Sequence, residues 1–405
     1  MASSTATGKA GSSTHHRTWL LLVALGLTLF ASVSTELLPP ALILGMSSTL
    51  GVDAAAIGTL VTVWALTIVI GTVPALRVTR WIPRKALLIA SLFVFAGATL
   101  VVALVPLFPV VVAARMVSAV AAAVSWSVVF AYVPRLVPAE RLGRAMAVVL
   151  GGGTLASVLG VPIGAALATA GTWQWAFVGA AALLALSAVI LARGLPRLAA
   201  AADGSRPGGT LDRSAIPVGV LLGAGALLLT GYMTLYAYIV PVLGAAGIEP
   251  VHVSAVLLSA GIAGAGALLL GGAFSDRFPV ASLLAVVAAV VLGAGLLAVA
   301  PDFPVAPAVA TAGTVALGFG IGGLPPVFQA RVARTASPTF RDLATSLFAV
   351  VLNMGIAAGS ALGAVLVGDG QLGSLGTVAT VLSFAAFLAF ALTLALLRRR
   401  THETP

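Results

Sequence analysis

The chain has 405 residues, 60% of them hydrophobic and 8% charged, with a formal net charge of +10 and a mean hydropathy of +1.15. Soluble domains carry roughly 25% charged residues, so this composition excludes a water-soluble protein and points to an integral membrane one. It contains no cysteine, which excludes disulfides, thiolate metal sites and cysteine nucleophiles.

Residues 1–17 are polar and rich in Ser and Thr, with Lys9, His15, His16 and Arg17, and read as a disordered tail. The first apolar run, 19–46, exceeds the ~7–15 residues of a signal-peptide core and lacks a cleavage site, so it reads as a retained helix. A spanning helix needs about 20 mostly apolar residues, and the Ala/Val/Leu/Gly bias suits helices rather than the ~10-residue alternating strands of a barrel. Charges, prolines and glycine turns divide the chain into twelve runs: 19–46, 54–76, 86–105, 109–133, 145–169, 173–192, 215–242, 251–274, 280–300, 305–329, 343–367 and 374–397. The joins near 106–109, 170–173 and 301–304 are short enough to make their flanking helices antiparallel neighbours.

Lys and Arg collect in the cytoplasmic loops of membrane proteins. With the N-terminus inside, 20 of the 21 basic residues fall in the tails, the central loop and the loops after the second, fourth, eighth and tenth spans. The exception is Arg115, within the fourth span. The prediction is an all-α membrane protein of twelve spans with both termini cytoplasmic. This asymmetry accounts for the high pI of about 11.3 without a nucleic-acid partner.

The longest polar interruption, 194–214, has six runs on either side. The expected organisation is a tail (1–17), a six-helix half (18–193), a cytoplasmic loop (194–214), a second six-helix half (215–397) and a tail (398–405). The halves echo each other. Pro138-Ala-Glu-Arg141 recurs as Pro338-Thr-Phe-Arg341, 200 residues on, and Gly160-Val-Pro-Ile-Gly164 as Gly359-Ser-Ala-Leu-Gly363, 199 residues on. Transporters built from such repeats hold their site between the halves near the midplane.

Only Glu36 and Arg115 place a charge well inside a span, where a charged group costs at least ~2.5–3.5 kcal/mol and usually faces the protein interior or a watery cavity. Helical rise puts Arg115 ~9 Å and Glu36 ~15 Å from the external ends of their spans, a difference that two long side chains can bridge. Pro39 and Pro40 lack N–H groups, so the Thr35 and Glu36 carbonyls lose their helical donors. A kink, freed acceptors and a titratable acid flanked by Ser32, Ser34 and Thr35 suit a proton and ligand site. The alternative is a structural Glu36–Arg115 clamp between the first and fourth spans.

The seventh span holds Tyr232 and Tyr236 on one face and Tyr238 on another. Together with Thr35-Glu36, the basic turn Arg80-Trp-Ile-Pro-Arg-Lys85, Arg115, Gly160-Val-Pro-Ile-Gly164, Tyr236-Ala-Tyr-Ile-Val-Pro241 and Gly272-Ala-Phe-Ser-Asp-Arg277, the chain resembles the major facilitator superfamily, and within it the bacterial twelve-helix drug/proton antiporter and sugar-efflux group. It departs from the family pattern at Ala75 and Thr79, where Gly and Asp are expected, and at Val161, which separates Gly160 from Pro162.

The resemblance implies a cavity lined by the first and seventh spans, in which Tyr232 and Tyr236 stack on or hydrogen-bond a substrate; an interfacial-belt position is the alternative, above all for Tyr238. Trp64, Trp126 and Asn353 are further candidates for contact, with packing the alternative for each. The resemblance also gives Gly160, Pro162 and Gly164 a sealing role, whereas their spacing alone gives close packing and a bend. It assigns Asp276 and Arg277 a cytoplasmic latch, alongside Gly272, Arg80 and Arg84, where a solvated charge pair is the alternative.

The reading is a monomeric exporter of a small organic molecule (a drug-like compound, a sugar or a nucleoside) that works by alternating access in exchange for protons. Its partners are substrate, protons and the bilayer, and no cofactor is expected. His252 lies near an external helix end and the other histidines lie in the tails, so no metal cluster is expected. No Gly-rich nucleotide loop is present, which argues against an ATP-driven pump. A proton-independent facilitator is the first rival. A membrane-embedded enzyme is the second, with one carboxylate in the spans and no clustered His to support it.

Overall fold

The computed structural model describes residues 7–138, 141–196, 212, 214–274, 277–337 and 340–402. Among them the regular structure is helical: α1 Thr7–Leu50, α2 Ala54–Val78, α3 Arg84–Leu104, α4 Phe108–Leu136, α5 Leu142–Leu155, α6 Val161–Thr169, α7 Gln174–Gly194, α8 Ala215–Tyr236, α9 Ile239–Ala245, α10 Pro250–Phe274, α11 Pro279–Val299, α12 Ala306–Thr335, α13 Arg341–Gly368 and α14 Ser374–His402. They give twelve helices long and apolar enough to cross a membrane, and each overlaps one of the twelve expected runs. An even number of spans returns the chain to the face from which it starts, the terminal face. The loop at 51–53 lies on the other, the distal face.

Four glycines at the distal face have positive φ: Gly51 (67°), Gly171 (70°), Gly247 (79°) and Gly370 (74°). They end spans one, five, seven and eleven, the same two positions in each half. A left-handed residue lets the last carbonyls of a helix be satisfied from beyond its end: Gly51 and Val52 both donate to the Ser47 carbonyl, at 3.0 and 3.3 Å.

Three stretches differ from expectation. The segment 1–17, read as irregular, is helical from Thr7, and the tail after 397 is helical through His402; extending an existing helix costs far less than nucleating one. The fifth span contains a π-helical turn, Ala156–Gly160, between α5 and α6. The seventh, read as continuous, breaks between Tyr236 and Ile239. Pro162 and Pro241 explain both, since each removes a helical donor and crowds the preceding turn.

The chain forms two compact units. The first comprises Met1–Thr35, Ile70–Ala156 and Gln174–Gly204; the second comprises Glu36–Val69, Ser157–Trp173 and Ser205–Pro405. In the first, α3 packs on α4 and α7, and α1 meets α5 backbone to backbone where Gly26 faces Gly152. In the second, α12 packs on α10 and α11, α8 on α13 and α14, and α6 on α10. A Cβ on Gly264 of α10 would stand 2.8 Å from the Gly318 carbonyl of α12. In lipid, helices associate through such close packing rather than through transfer of apolar surface from water. Phe328 anchors the second unit, edge-on to Phe390 at 5.3 Å and 5.2 Å from Phe348.

Candidate transport site

The proline pair of α1 is where the sequence places chemistry, and α1 runs through it as one continuous helix, Thr7–Leu50. Pro39 and Pro40 are buried inside α1. The carbonyl that Pro39 frees, that of Thr35, accepts a hydrogen bond from Arg115 Nη1 of α4 at 2.7 Å. Arg115 is 0% exposed, so its charge is held in a low-dielectric interior with a backbone dipole as one partner, a charge-assisted bond. The Thr35 hydroxyl turns back to the Ala31 carbonyl at 2.7 Å. One turn earlier, Ser32 Oγ accepts the Trp126 indole N–H at 2.9 Å, and Trp126 stands edge-on to Phe130 at 5.8 Å. Two bonds therefore tie α1 to α4 on the terminal side of the proline pair. Glu36 follows Thr35 directly and is half-buried.

In the second unit, Tyr232 and Tyr236 stack with ring centroids 4.9 Å apart and 19° between planes. Tyr232 is buried and Tyr236 half-buried, in the last turns of α8 before its break. Trp64 is buried on α2. Asn353 of α13 is half-buried and donates to the Ala349 carbonyl of its own helix at 2.9 Å. Gly160 closes the π turn, Pro162 lies in the first turn of α6, and a Cβ on Gly164 would collide with Leu38 of α1. That collision agrees with the close packing the spacing implied.

Of the terminal-face motif, the Arg80 guanidinium lies 4.3 Å over the Trp81 ring, Arg84 opens α3, and the Arg277 guanidinium lies 5.4 Å from the Phe278 ring. Gly272 falls in the last turn of α10, and Asp276 lies outside the described residues.

Tyr238 is the residue that sequence reasoning misplaced. Its expected alternative was the interfacial belt, yet it is 0% exposed. Its hydroxyl donates to the Ala55 carbonyl in the first turn of α2 at 3.3 Å. Its ring fills the space beside Gly58 of α2 and lies 2.7 Å from where a Cβ on Gly363 of α13 would stand. The available signals were two glycines able to receive a ring and Pro241, which turns the helix three residues later. Nearby, the Thr62 and Ser360 hydroxyls share a hydrogen bond of 2.7 Å between α2 and α13, and the Trp173 indole donates to Thr49 at 3.0 Å. A cavity of about 130 Å³ remains among Ala41, Gly45, Ala165, Val240 and Val253. The distal ends of spans one, two and five are thus built into the same unit as the second half of the chain.

The sequence model of the Major Facilitator Superfamily matches residues 24–311 and 220–405. Chloramphenicol efflux pumps from the CDC 1551 and H37Rv strains of Mycobacterium tuberculosis are each 32% identical over 282 residues, 66% of this chain and 67% of theirs. Among solved structures, the nucleoside transporter NupG aligns with a TM-score of 0.72 at 15% identity, over 93% of this chain and 99% of that one. The human organic anion transporter TETRAN gives 0.64 at 16%, over 93% and 99%; at these identities the likeness is one of fold. The protein is a multi-pass membrane protein and a secondary transporter rather than an enzyme, and with twelve spans and a family match along nearly its whole length the chain belongs to the Major Facilitator Superfamily.

Proposed function

We propose that the protein exports a drug-like molecule by alternating access in exchange for protons, with Glu36 as the coupling acid and Arg115 as its modulator. The observation that carries this reading is the guanidinium on the Thr35 carbonyl, one residue from the only carboxylate well inside a span among the described residues. An ionised Glu36 draws on the Arg115 charge and a protonated one does not. Proton gain and loss therefore act on the arginine that ties α1 to α4. One proton entering per cycle is worth ~2.3 kcal/mol per 100 mV of membrane potential when the cargo is neutral.

Substrate contact is assigned to the Tyr232–Tyr236 stack, with Ser32, Thr35, Trp64, Trp126 and Asn353 as further candidates. The bonds of Ser32, Thr35 and Trp126 to their neighbours favour positioning roles for those three. The excess of Lys and Arg in the terminal-face loops supports a cytoplasmic location for that face, in a bacterial inner membrane and with two six-helix halves. On this orientation Tyr238, with Gly58 and Gly363, belongs to the external seal, together with Gly160, Pro162 and Gly164. Arg80, Arg84, Gly272, Asp276 and Arg277 belong to the cytoplasmic gate.

The relatives' substrate names the first compound to try. Everted vesicles containing the protein should accumulate chloramphenicol when acidified inside by respiration, and an uncoupler should abolish the accumulation. Accumulation of no tested drug, sugar or nucleoside would refute export, and equilibration of one indifferent to the uncoupler would make the protein a facilitator.

A further inference from the structure

Beside the cavity of about 130 Å³ at the distal ends of spans one, five, seven and eight lies a larger one, of about 320 Å³. The two share Leu44, Val240, Pro250 and Val253 as walls. The larger one opens among Gly244, Gly247 and Glu249, where α9 leads into α10. The smaller one reaches inward to Ala41 and Ala165. All of these residues belong to the second unit. Ala41 lies nine residues before Leu50, the end of α1, about 14 Å at helical rise. The paired cavities therefore run from headgroup depth well into the hydrocarbon layer.

The walls are apolar and the mouth is charged. Apolar cavities stay dry, and an empty one forfeits dispersion contacts along its lining, so hydrocarbon is what fills this space best. Its size lies at the lower end of ligand pockets, roughly 300–1,000 Å³. Leu44, a wall of both cavities, is 54% exposed, which leaves the space open to lipid chains beside the span. At the mouth, Glu249 immediately precedes Pro250, the first residue of the eighth span. It meets the His252 imidazole at 3.9 Å, and both side chains are largely exposed, so the carboxylate stays within reach of a mobile cation. The distal loops carry Asp53, Glu249, Asp302 and Asp369 but neither lysine nor arginine, a balance that disfavours an anionic head.

We infer that the paired cavities hold one phospholipid of the distal leaflet whose head is a primary ammonium, phosphatidylethanolamine. One acyl chain fills the apolar interior as far as Ala41, and the ammonium stands at Glu249. A primary ammonium donates charge-assisted hydrogen bonds to a carboxylate, which the quaternary head of phosphatidylcholine cannot do. The head-outward, chain-inward arrangement is the one the lipid already has in the bilayer, so little orientational order is lost on entry.

Native mass spectrometry of the full-length protein, released from nanodiscs containing phosphatidylethanolamine and phosphatidylglycerol in equal amounts, tests this directly. Wild-type protein should retain phosphatidylethanolamine in preference. Glu249→Gln should lower that preference about threefold, the range of an exposed ion pair. Asp302→Asn removes a distal carboxylate that lines neither cavity and should leave the preference intact. A Cβ on Gly244 meets open space, so Gly244→Leu fills the larger cavity without a clash, keeps every charge and should abolish retention. Ala168→Leu, which fills the smaller cavity, should do the same where the first fails to fold. Equal losses from Glu249→Gln and Asp302→Asn, or undiminished retention by the filled variants, would overturn the site in favour of general surface charge. Retention of decylammonium in place of the lipid, when both are offered, would overturn the bilayer as the source of the occupant.

Discussion

Replacing Arg115 by leucine removes the donor on the Thr35 carbonyl, and Pro39 leaves that carbonyl no helical substitute. A buried acceptor stranded in this way costs about 1–3 kcal/mol. The same change also relieves the burial of a charge, which insertion scales put at ~2.5–3.5 kcal/mol. The two effects oppose each other, so the sign of the single substitution decides nothing. The informative experiment adds Pro39→Ala, which returns a backbone N–H to the Thr35 carbonyl. In the wild-type background that N–H meets an acceptor already served by Arg115 and gains little. In the Arg115→Leu background it satisfies a stranded group and should recover ~1–3 kcal/mol. Unfolding free energies of the four proteins in bicelles, followed by tryptophan fluorescence, give the coupling. Additivity within about 0.5 kcal/mol, the level seen for independent sites, would refute the view that arginine and proline act on one carbonyl.

Four further outcomes are expected. Glu36→Gln protein should insert, fold and exchange substrate without a gradient but lose gradient-driven export, since a neutral amide is cheap to bury and carries no proton; full gradient-driven transport would dismiss Glu36 as the coupling acid. Gly58→Val should drive the Tyr238 ring from its place and expose a cysteine introduced at Thr62 to an impermeant maleimide, whereas unchanged labelling would separate this contact from distal closure. Tyr236→Ala should weaken substrate binding by ~1 kcal/mol, the scale of a lost aromatic pair, as read by titration calorimetry, and a wild-type affinity would remove the stack from the site. In right-side-out cells Glu249→Cys should label and Ser205→Cys should not; the reverse pattern would invert the topology.

The spans were legible because lipid demands long apolar helices whatever else a chain does, and the freed Thr35 carbonyl because Pro39 removes its helical donor, although α1 runs on unbroken from Thr7 to Leu50. The partner of the Thr35 carbonyl was not. Depth along two helices brought Arg115 near this turn of α1, but which backbone carbonyl a guanidinium reaches depends on ångström-level placement that residue spacing does not carry. The tyrosines show the same limit. Tyr232 and Tyr236 share a face as their i,i+4 spacing implied, because both lie in uninterrupted α8, and there they stack on each other. Tyr238 lies in the break between α8 and α9, where helical phase no longer predicts direction, and only glycines more than a hundred residues away in either direction reveal where its ring can go.

The π turn at Ala156–Gly160 has a consequence for chain length. A π turn holds one residue more than an α turn, so it works as a single-residue insertion whose effect is absorbed locally. Were the same residues wound as α-helix, everything after Gly160 would turn by about 100° about the helix axis, the angle of one residue in a 3.6-residue turn. Gly164 would no longer face Leu38, and the fit of Ser157 and Val158 against Gly261 would be disturbed. Deleting one residue between 156 and 160 would therefore turn the stretch into ordinary α-helix and leave Gly164 facing Leu38. A one-residue deletion between Val161 and Gly164 has no such slack to draw on and would turn that glycine away.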